Sequence, residues 1–353
     1  MRVRARPADT AGVADSDTRA GVAGRAPADA PQRHKSTYAG SEAPATRRTS
    51  TYGARAREWL DRADVKFSPY AYIAPFFLLF TVFGLFPLGY TFWVSLHDWE
   101  LVGGREFSGL DNYRLILTDA SFWNAVVNTM GIFVIATVPQ LLVALLLANA
   151  LNRRMRGSTV YRMGVLVPLI TSTVAVAIVF TQLYGRDFGM VNWLLGLVGV
   201  DPVDWPAHKW SSWIAISTMV DWRWTGYNAL IYLAAMQAIP VDLYEAAAID
   251  GASRWRQFWQ LTVPMLRPTI IFTVIISTIG GLQLFVEPLL FGSGTYYGGS
   301  LGQFQTVTLY MFENAFRRND YGYGATIAWM LFLLIVLVSV LNFMIIRRIS
   351  STK

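Results

Sequence analysis

Polar side chains that interrupt apolar sequence are where this chain could do chemistry. Within 211–236, Asp221, Trp224 and Asn228 recur at i, i+3 and i+7, which places them along one face of a helix. Arg223 lies about 200° round from Asp221 on the same helix and is expected to face elsewhere. A second set, Gly280, Gln283 and Glu287, shares a face in the same way, and Gln182 and Tyr184 stand near one end of the stretch 161–184. Carboxylates, amides and Trp or Tyr rings suit a neutral sugar. Its hydroxyls take paired donors and acceptors, and its apolar ring face stacks on an aromatic. The same groups could instead hold helices together or bond a neighbouring subunit, and the sequence leaves both readings open.

The second informative stretch is EAAAIDGASRWRQFWQLTVP, residues 245–264. Asp242 and Glu245 form a D-x-x-E pattern that can cap a helix start. Ala246, Ala247 and Ala248 follow as strong helix formers with almost no bulk. Gly251 suits the residue after a helix end, where a positive φ reverses the chain. Ser253 can cap a second helix bearing Trp255, Phe258, Trp259 and Leu261, which Pro264 and Pro268 are expected to end. A helix exposed to water would ordinarily carry Lys and Glu, so a small-faced one suits insertion into a cleft on another protein.

Several chemistries have no residues to run on. There is no cysteine, which excludes a disulfide framework, a thiolate metal site and a Cys nucleophile. His34, His97 and His208 lie far apart and no metal site is expected. No G-x-x-x-x-G-K-[ST] phosphate loop occurs, so ATP is not expected to bind here, and no acid/base cluster sits beside a nucleophile. No cofactor is expected.

The elements that must position these residues are membrane spans. The chain has 353 residues and only 15% are charged, well below the roughly 25% of an ordinary soluble domain. No Asp, Glu, Lys, Arg or His occurs in 67–96, 120–152, 163–185, 268–286 or 321–346. A bilayer core needs about 20 apolar residues as helix, so an all-α polytopic membrane protein is expected. Six transmembrane helices are predicted at about 71–96, 124–151, 161–184, 211–236, 269–290 and 324–346. The stretch 188–200 is too short to span and reads as interfacial, with Trp193 at headgroup depth.

Residues 1–68 carry 13 basic and 8 acidic groups without apolar periodicity, and read as a disordered tail before a transmembrane domain at 69–353. No apolar h-region follows the early Arg cluster, so a secretory signal is not expected. The formal charge of +7 tempts towards nucleic acid, but most Lys and Arg fall in the tail or beside apolar runs. Alternate loops hold 23 against 6 of the loop Lys and Arg, which puts both termini in the cytoplasm. The polar, Gly-rich loop 291–306 reads as flexible and external, either a contact for a delivery protein or a solvated linker.

The 245–264 stretch resembles the EAA loop of permease subunits in binding-protein-dependent ABC importers, whose pattern is E-A-A, a Gly six residues after the Glu, then I-x-L-P. Glu245, Ala246, Ala247, Gly251 and Pro264 match at that spacing, while Leu261 and Val263 replace the usual Ile and Leu. The resemblance covers about 70–350. FSGLDNYR (107–114), FWNAVVNT (122–129), NRRMRG (152–157) and YGYGATIAW (321–329) are similar to the sugar-permease branch, that of maltose and glycerol-3-phosphate importers.

The resemblance implies that the helix carrying Glu245, Ala246, Ala247, Asp250 and Gly251 docks in a groove of a cytoplasmic ATPase subunit. ATP-driven closure of that motor would drive alternating access. It implies a second permease subunit, two ATPase subunits, an extracytoplasmic solute-binding protein and a sugar as partners, in the cytoplasmic membrane. It also implies that late spans, with Asp221, Trp224, Asn228, Gln283 and Glu287, line the substrate path. The expected cargo is a di- or oligosaccharide. GGLQLFVEPLLF (280–291) looks most like permeases for β-linked glucosides such as cellobiose. The alternatives are another solute, such as glycerol-3-phosphate, or an ion-coupled secondary transporter, which would favour inverted repeats with broken helices.

Overall fold

Long apolar runs become long helices, because in a bilayer each backbone N–H and C=O must be satisfied within its own segment. The computed structural model describes residues 68–100, 103–153 and 156–351. The tail predicted at 1–68 therefore lies outside the described residues up to position 67. Residues 71–353 form one compact unit.

Among the described residues, three helices are long and apolar enough to cross a membrane: α1 (Ser68–Ser95), α3 (Ala120–Leu151) and α13 (Tyr321–Ile345). Between the first two lie a short antiparallel hairpin, β1 (His97–Glu100) with β2 (Gly104–Phe107), and α2 (Asp111–Thr118). Asp119 caps α3, accepting from the backbone N–H of Ser121 at 2.8 Å.

Two of the predicted spans are broken. The third divides into α4 (Ser158–Ile170) and α5 (Thr173–Leu183), bent by 89°. Thr171 and Ser172 take extended ψ values of 140° and 130° just after Pro168, whose ring removes a helical donor. The fifth runs as α10 (Arg267–Gly281), then non-helical Leu282–Phe285, then the short α11 (Val286–Phe291). Its freed Leu284 carbonyl accepts from the hydroxyls of Thr306 and Thr308. Unwound backbone is tolerated at such depth only where protein supplies the missing partners.

The fourth predicted span is α7 (Lys209–Gln237), whose 29 residues would extend about 44 Å. Lys209, Asp221 and Arg223 make it less apolar than the other three. α7 and α3 share the most extensive helix–helix interface of the bundle. Beside it α4 comes so close that a Cβ on Gly226 would lie 1.9 Å from the Val165 carbonyl oxygen. The remaining short helices are α6 (Met190–Leu197), α8 (Val241–Ile249), α9 (Arg254–Met265) and α12 (Val307–Phe312). Trp193, on α6, is exposed.

Buried apolar residues form three clusters. One joins α2, α3 and α13 through Ile116, Phe133 and Ile327. One joins α3 and α7 through Ile132, Trp213 and Met219. The third holds Leu145, Ala148, Tyr232 and Met236 together with Phe258 of α9. Elsewhere Phe76, Phe83, Phe86 and Leu337 lie exposed on α1 and α13, as helices facing lipid or another helix would present them.

Candidate functional site

The loop 238–266 builds a helix, a reversal and a second helix, as its local chemistry predicts. α8 starts after Pro240, with no side-chain cap. Asp242 and Glu245 therefore do not form the predicted capping box, because Asp242 sits inside the first turn and Pro240 occupies the cap position. The end is as expected. Gly251 has φ 76°, its N–H donates to the Ala248 carbonyl, and the Ala252 N–H donates to the Ala247 carbonyl at 2.9 Å. These two bonds make a Schellman closure.

Ser253 caps α9 by accepting from the Arg256 N–H at 3.3 Å. Pro264 does not end this helix. A turn of wider π-type helix at Phe258–Thr262 leads into it, and α9 continues to Met265 before bending 69° into α10. Tyr244 and Thr262 hydroxyls meet at 2.9 Å, tying α8 to α9. Phe258 is 2% exposed and packs among Leu145, Ala148 and Met236. No residue of α8 is buried, and Glu245 and Ala246 stand exposed.

The central site is a cavity of about 450 Å³ between α3, α7 and the two breaks. α7 gives it Arg223, Trp224, Tyr227 and Asn228, and the α10–α11 break gives it Gln283, Phe285 and Glu287. Thr137 and Gln140 come from α3 beside Pro139, and Thr173 from the start of α5. Trp224 and Tyr227 meet edge to face, 5.8 Å between centroids. Arg223 Nη1 lies 3.5 Å from Glu287 Oε1, with both side chains largely buried at 12% and 6% exposure. Among the described residues they are the only charged ones that line this cavity.

Trp224, Asn228, Gln283 and Glu287 all line this cavity, the last two through the non-helical break and not through a shared helix face, but Asp221 does not. It lines a separate groove of about 350 Å³ with Pro168 and Gly226, where its Oδ1 has no hydrogen-bond partner. At about 100° per residue, Val220, Trp224 and Tyr227 set the centre of the cavity-facing side of α7, and Asp221 falls at its margin. Arg223 falls within it, against expectation, and its long side chain reaches Glu287. Sequence reasoning also missed Gln140, Tyr227 and Ser277. The signal for Tyr227 was its i+3 spacing from Trp224.

One end of the 291–306 loop departs from expectation: residues 303–306 are buried, with Phe304 and Thr306 fully enclosed, while 293–295 and 300–301 are exposed. Asn128 donates to the carbonyls of Gly302 and Gln305, Trp213 donates to that of Gln303, and Gln305 donates to Glu313 at 2.7 Å. Below them Asp119 accepts from the hydroxyls of Tyr310 and Tyr323. Burial pushes the Asp119 carboxyl up, but these bonds and backbone N–H groups outweigh it and hold the group below its ordinary value. Burial, then the bond to Asp119, pushes Tyr310 up to about 12.

With the geometry in hand, comparison with known proteins is specific. Residues 132–351 match the family described as binding-protein-dependent transport system inner membrane component. The lactose transport system permease protein of Rhizobium radiobacter is 37% identical over 285 residues, covering 78% of this chain and 93% of the relative. The trehalose/maltose transport system permease protein of Thermococcus litoralis is 35% identical, covering 76% and 89%. In structure, the chain resembles one from a bacterial ABC transporter that imports the acidic polysaccharide alginate. The TM-score is 0.66 at 20% identity, over 84% of this chain and 100% of that one. A related alginate transporter, in complex with a pentasaccharide-bound periplasmic protein, gives 0.65 at 22% identity over 86% and 99%. These last two speak for the fold alone.

Proposed function

The chain belongs to the family of inner membrane components of binding-protein-dependent transport systems, and from that premise we propose that it is a sugar permease working by alternating access. In this reading it spans the membrane six times, with α7 and the two broken elements completing the count begun by α1, α3 and α13. Both termini face the cytoplasm. A second permease, two ATPase subunits and a solute-binding protein complete the machine. The cargo is a di- or oligosaccharide, with a β-linked glucoside such as cellobiose as the first candidate.

The observation that carries this reading is the central cavity. It places Trp224 and Tyr227 rings beside the amides of Asn228, Gln140 and Gln283, the mix of stacking face and paired polar groups that a sugar requires. Glu245, Ala246, Ala247, Asp250 and Gly251 form the coupling face, and Pro264 lies in the helix behind it. Broken helices also occur in secondary transporters, so the breaks do not separate the two mechanisms. The energy source does.

Proteoliposomes holding the assembled transporter are expected to take up labelled cellobiose or maltotriose only with internal ATP and external binding protein. Trp224→Ala should lower that uptake by about tenfold, since an aromatic stacking contact contributes up to roughly 1.5 kcal/mol. Uptake by this chain alone, under a proton or sodium gradient and without ATP, would overturn the proposal.

A further inference from the structure

The cavity contains one cation and one anion, and they face each other. Arg223 Nη1 stands 3.5 Å from Glu287 Oε1, and the Arg223 guanidinium lies 5.9 Å from the centre of the Trp224 ring. Glu287 is 5% exposed as a residue, while Arg223 Nε has no hydrogen-bond partner. The remaining polar groups around the pair, among them Asn228 and Gln283, are neutral. Two buried charges at this distance are costly to strip of water and are not an efficient way to join helices. A cavity that only had to be closed would be better served by apolar contacts.

We propose that Arg223 and Glu287 are the charge-selective element of this cavity. Paired, they give it no net charge, so it admits a neutral saccharide and turns away an acidic one. The guanidinium is the group that a sugar carboxylate would seek, as a planar fork of donors that matches a carboxylate oxygen for oxygen. Glu287 sets its carboxylate against one arm of that fork, 3.5 Å from Nη1, and repels a second carboxylate. Selectivity here is a penalty built against the wrong cargo as much as a contact made to the right one. The Trp224 ring beside the pair offers a face on which a sugar ring can stack without breaking it. This proposal rests on reading the cavity as the sugar path.

Equilibrium binding to the assembled transporter, purified in detergent, tests it with two labelled probes: neutral maltotriose and acidic trigalacturonate. Wild type should favour maltotriose. Glu287→Gln leaves the guanidinium unpaired and should tighten trigalacturonate binding by about tenfold, the scale of one charge-assisted hydrogen bond, with the gain fading as salt rises. The double variant Arg223→Gln with Glu287→Gln should lose that gain. Arg223→Met provides an independent arm. It leaves the carboxylate alone and should favour a trimer of glucosamine with free amines.

Equal binding of both probes by wild type overturns the proposal, as does no gain in either single variant, or a gain that persists in the double variant. Trp224→Ala reports on the sugar path separately. If it abolishes maltotriose binding while Glu287→Gln gains nothing, only the charge element fails. If Trp224→Ala leaves maltotriose untouched, the path reading fails with whatever rests on it.

Discussion

On the proposed orientation, residues 303–306 at the outer end bury their polar groups against their own chain, whereas Val241–Ile249 at the inner end buries no side chain at all. Both segments join membrane helices and both are rich in small or polar residues. They differ in who satisfies them. Gln303 and Gln305 reach the Ala207 carbonyl, the Tyr296 carbonyl and Glu313 at 2.7–3.2 Å, and Asn128 closes the region from α3. α8 is held by its Schellman closure and by Tyr244 to Thr262. A segment that completes its own contacts is a structural cap. One that leaves alanines exposed is, on the proposed reading, completed by the ATPase.

The contrast breaks most sharply at Gly251. Its φ of 76° is the left-handed region, where a side chain costs about 1–2 kcal/mol. A Cβ there would meet nothing within 4 Å, so Gly251→Trp leaves the bundle folded while obstructing the coupling face. ATP-dependent uptake should fall more than tenfold and the ATPase should no longer co-purify, with helix content by circular dichroism unchanged. Full uptake with intact co-purification would mean α8 is a cap like the outer segment.

The outer end should respond in stability instead. Asn128 is fully buried and its amide donates to two carbonyls. Asn128→Ala leaves the Gln305 carbonyl unpaired, at roughly 1–3 kcal/mol, while Gly302 keeps its bond from Asn124 at 2.8 Å. The thermal midpoint in detergent should drop by several degrees, with coupling per folded molecule unchanged. A variant that keeps its midpoint but loses uptake would show that the outer segment also works as a moving part.

Features encoded by a few neighbouring residues were legible from the sequence. The charge-free runs mark α1, α3 and α13, and Gly251 and Ser253 mark a helix end and the next start. What escaped depends on partners far along the chain. The 291–306 stretch looks flexible by composition, but its 303–306 end is buried by partners elsewhere in the chain, among them Asn128, Trp213 and Glu313. Helix-face arithmetic puts Arg223 away from the site only when the face is centred on Asp221; centred on Trp224 and Tyr227 it includes Arg223, whose side chain reaches Glu287. Asp221 went astray by the same arithmetic, a margin residue taken for a central one. The breaks after Ile170 and Gly281 were hidden because Pro168 and paired glycines are compatible with intact spans.

Within the outer end itself, two carboxylates carry opposite signs. Asp119 is held below its ordinary value by its tyrosines, so what it contributes is present above the unfolded carboxylate range and is lost only in acid, as pH falls through its lowered folded value. Asp320 is raised, first by burial and then by Asp98 and Glu100, against the pull of its bond from the Tyr323 N–H and of Arg318. The folded state therefore holds its proton longer than the unfolded chain does, and stability falls as pH rises from the unfolded value through the raised one. Asp320→Asn removes that titrating charge and keeps an oxygen to accept from the Tyr323 N–H at 2.8 Å. The variant should match wild type near pH 4 and exceed it slightly, by about 1 kcal/mol or less, at pH 7. Thermal midpoints measured across that range check it, and a variant less stable at pH 7 would mean that the charge itself holds the start of α13.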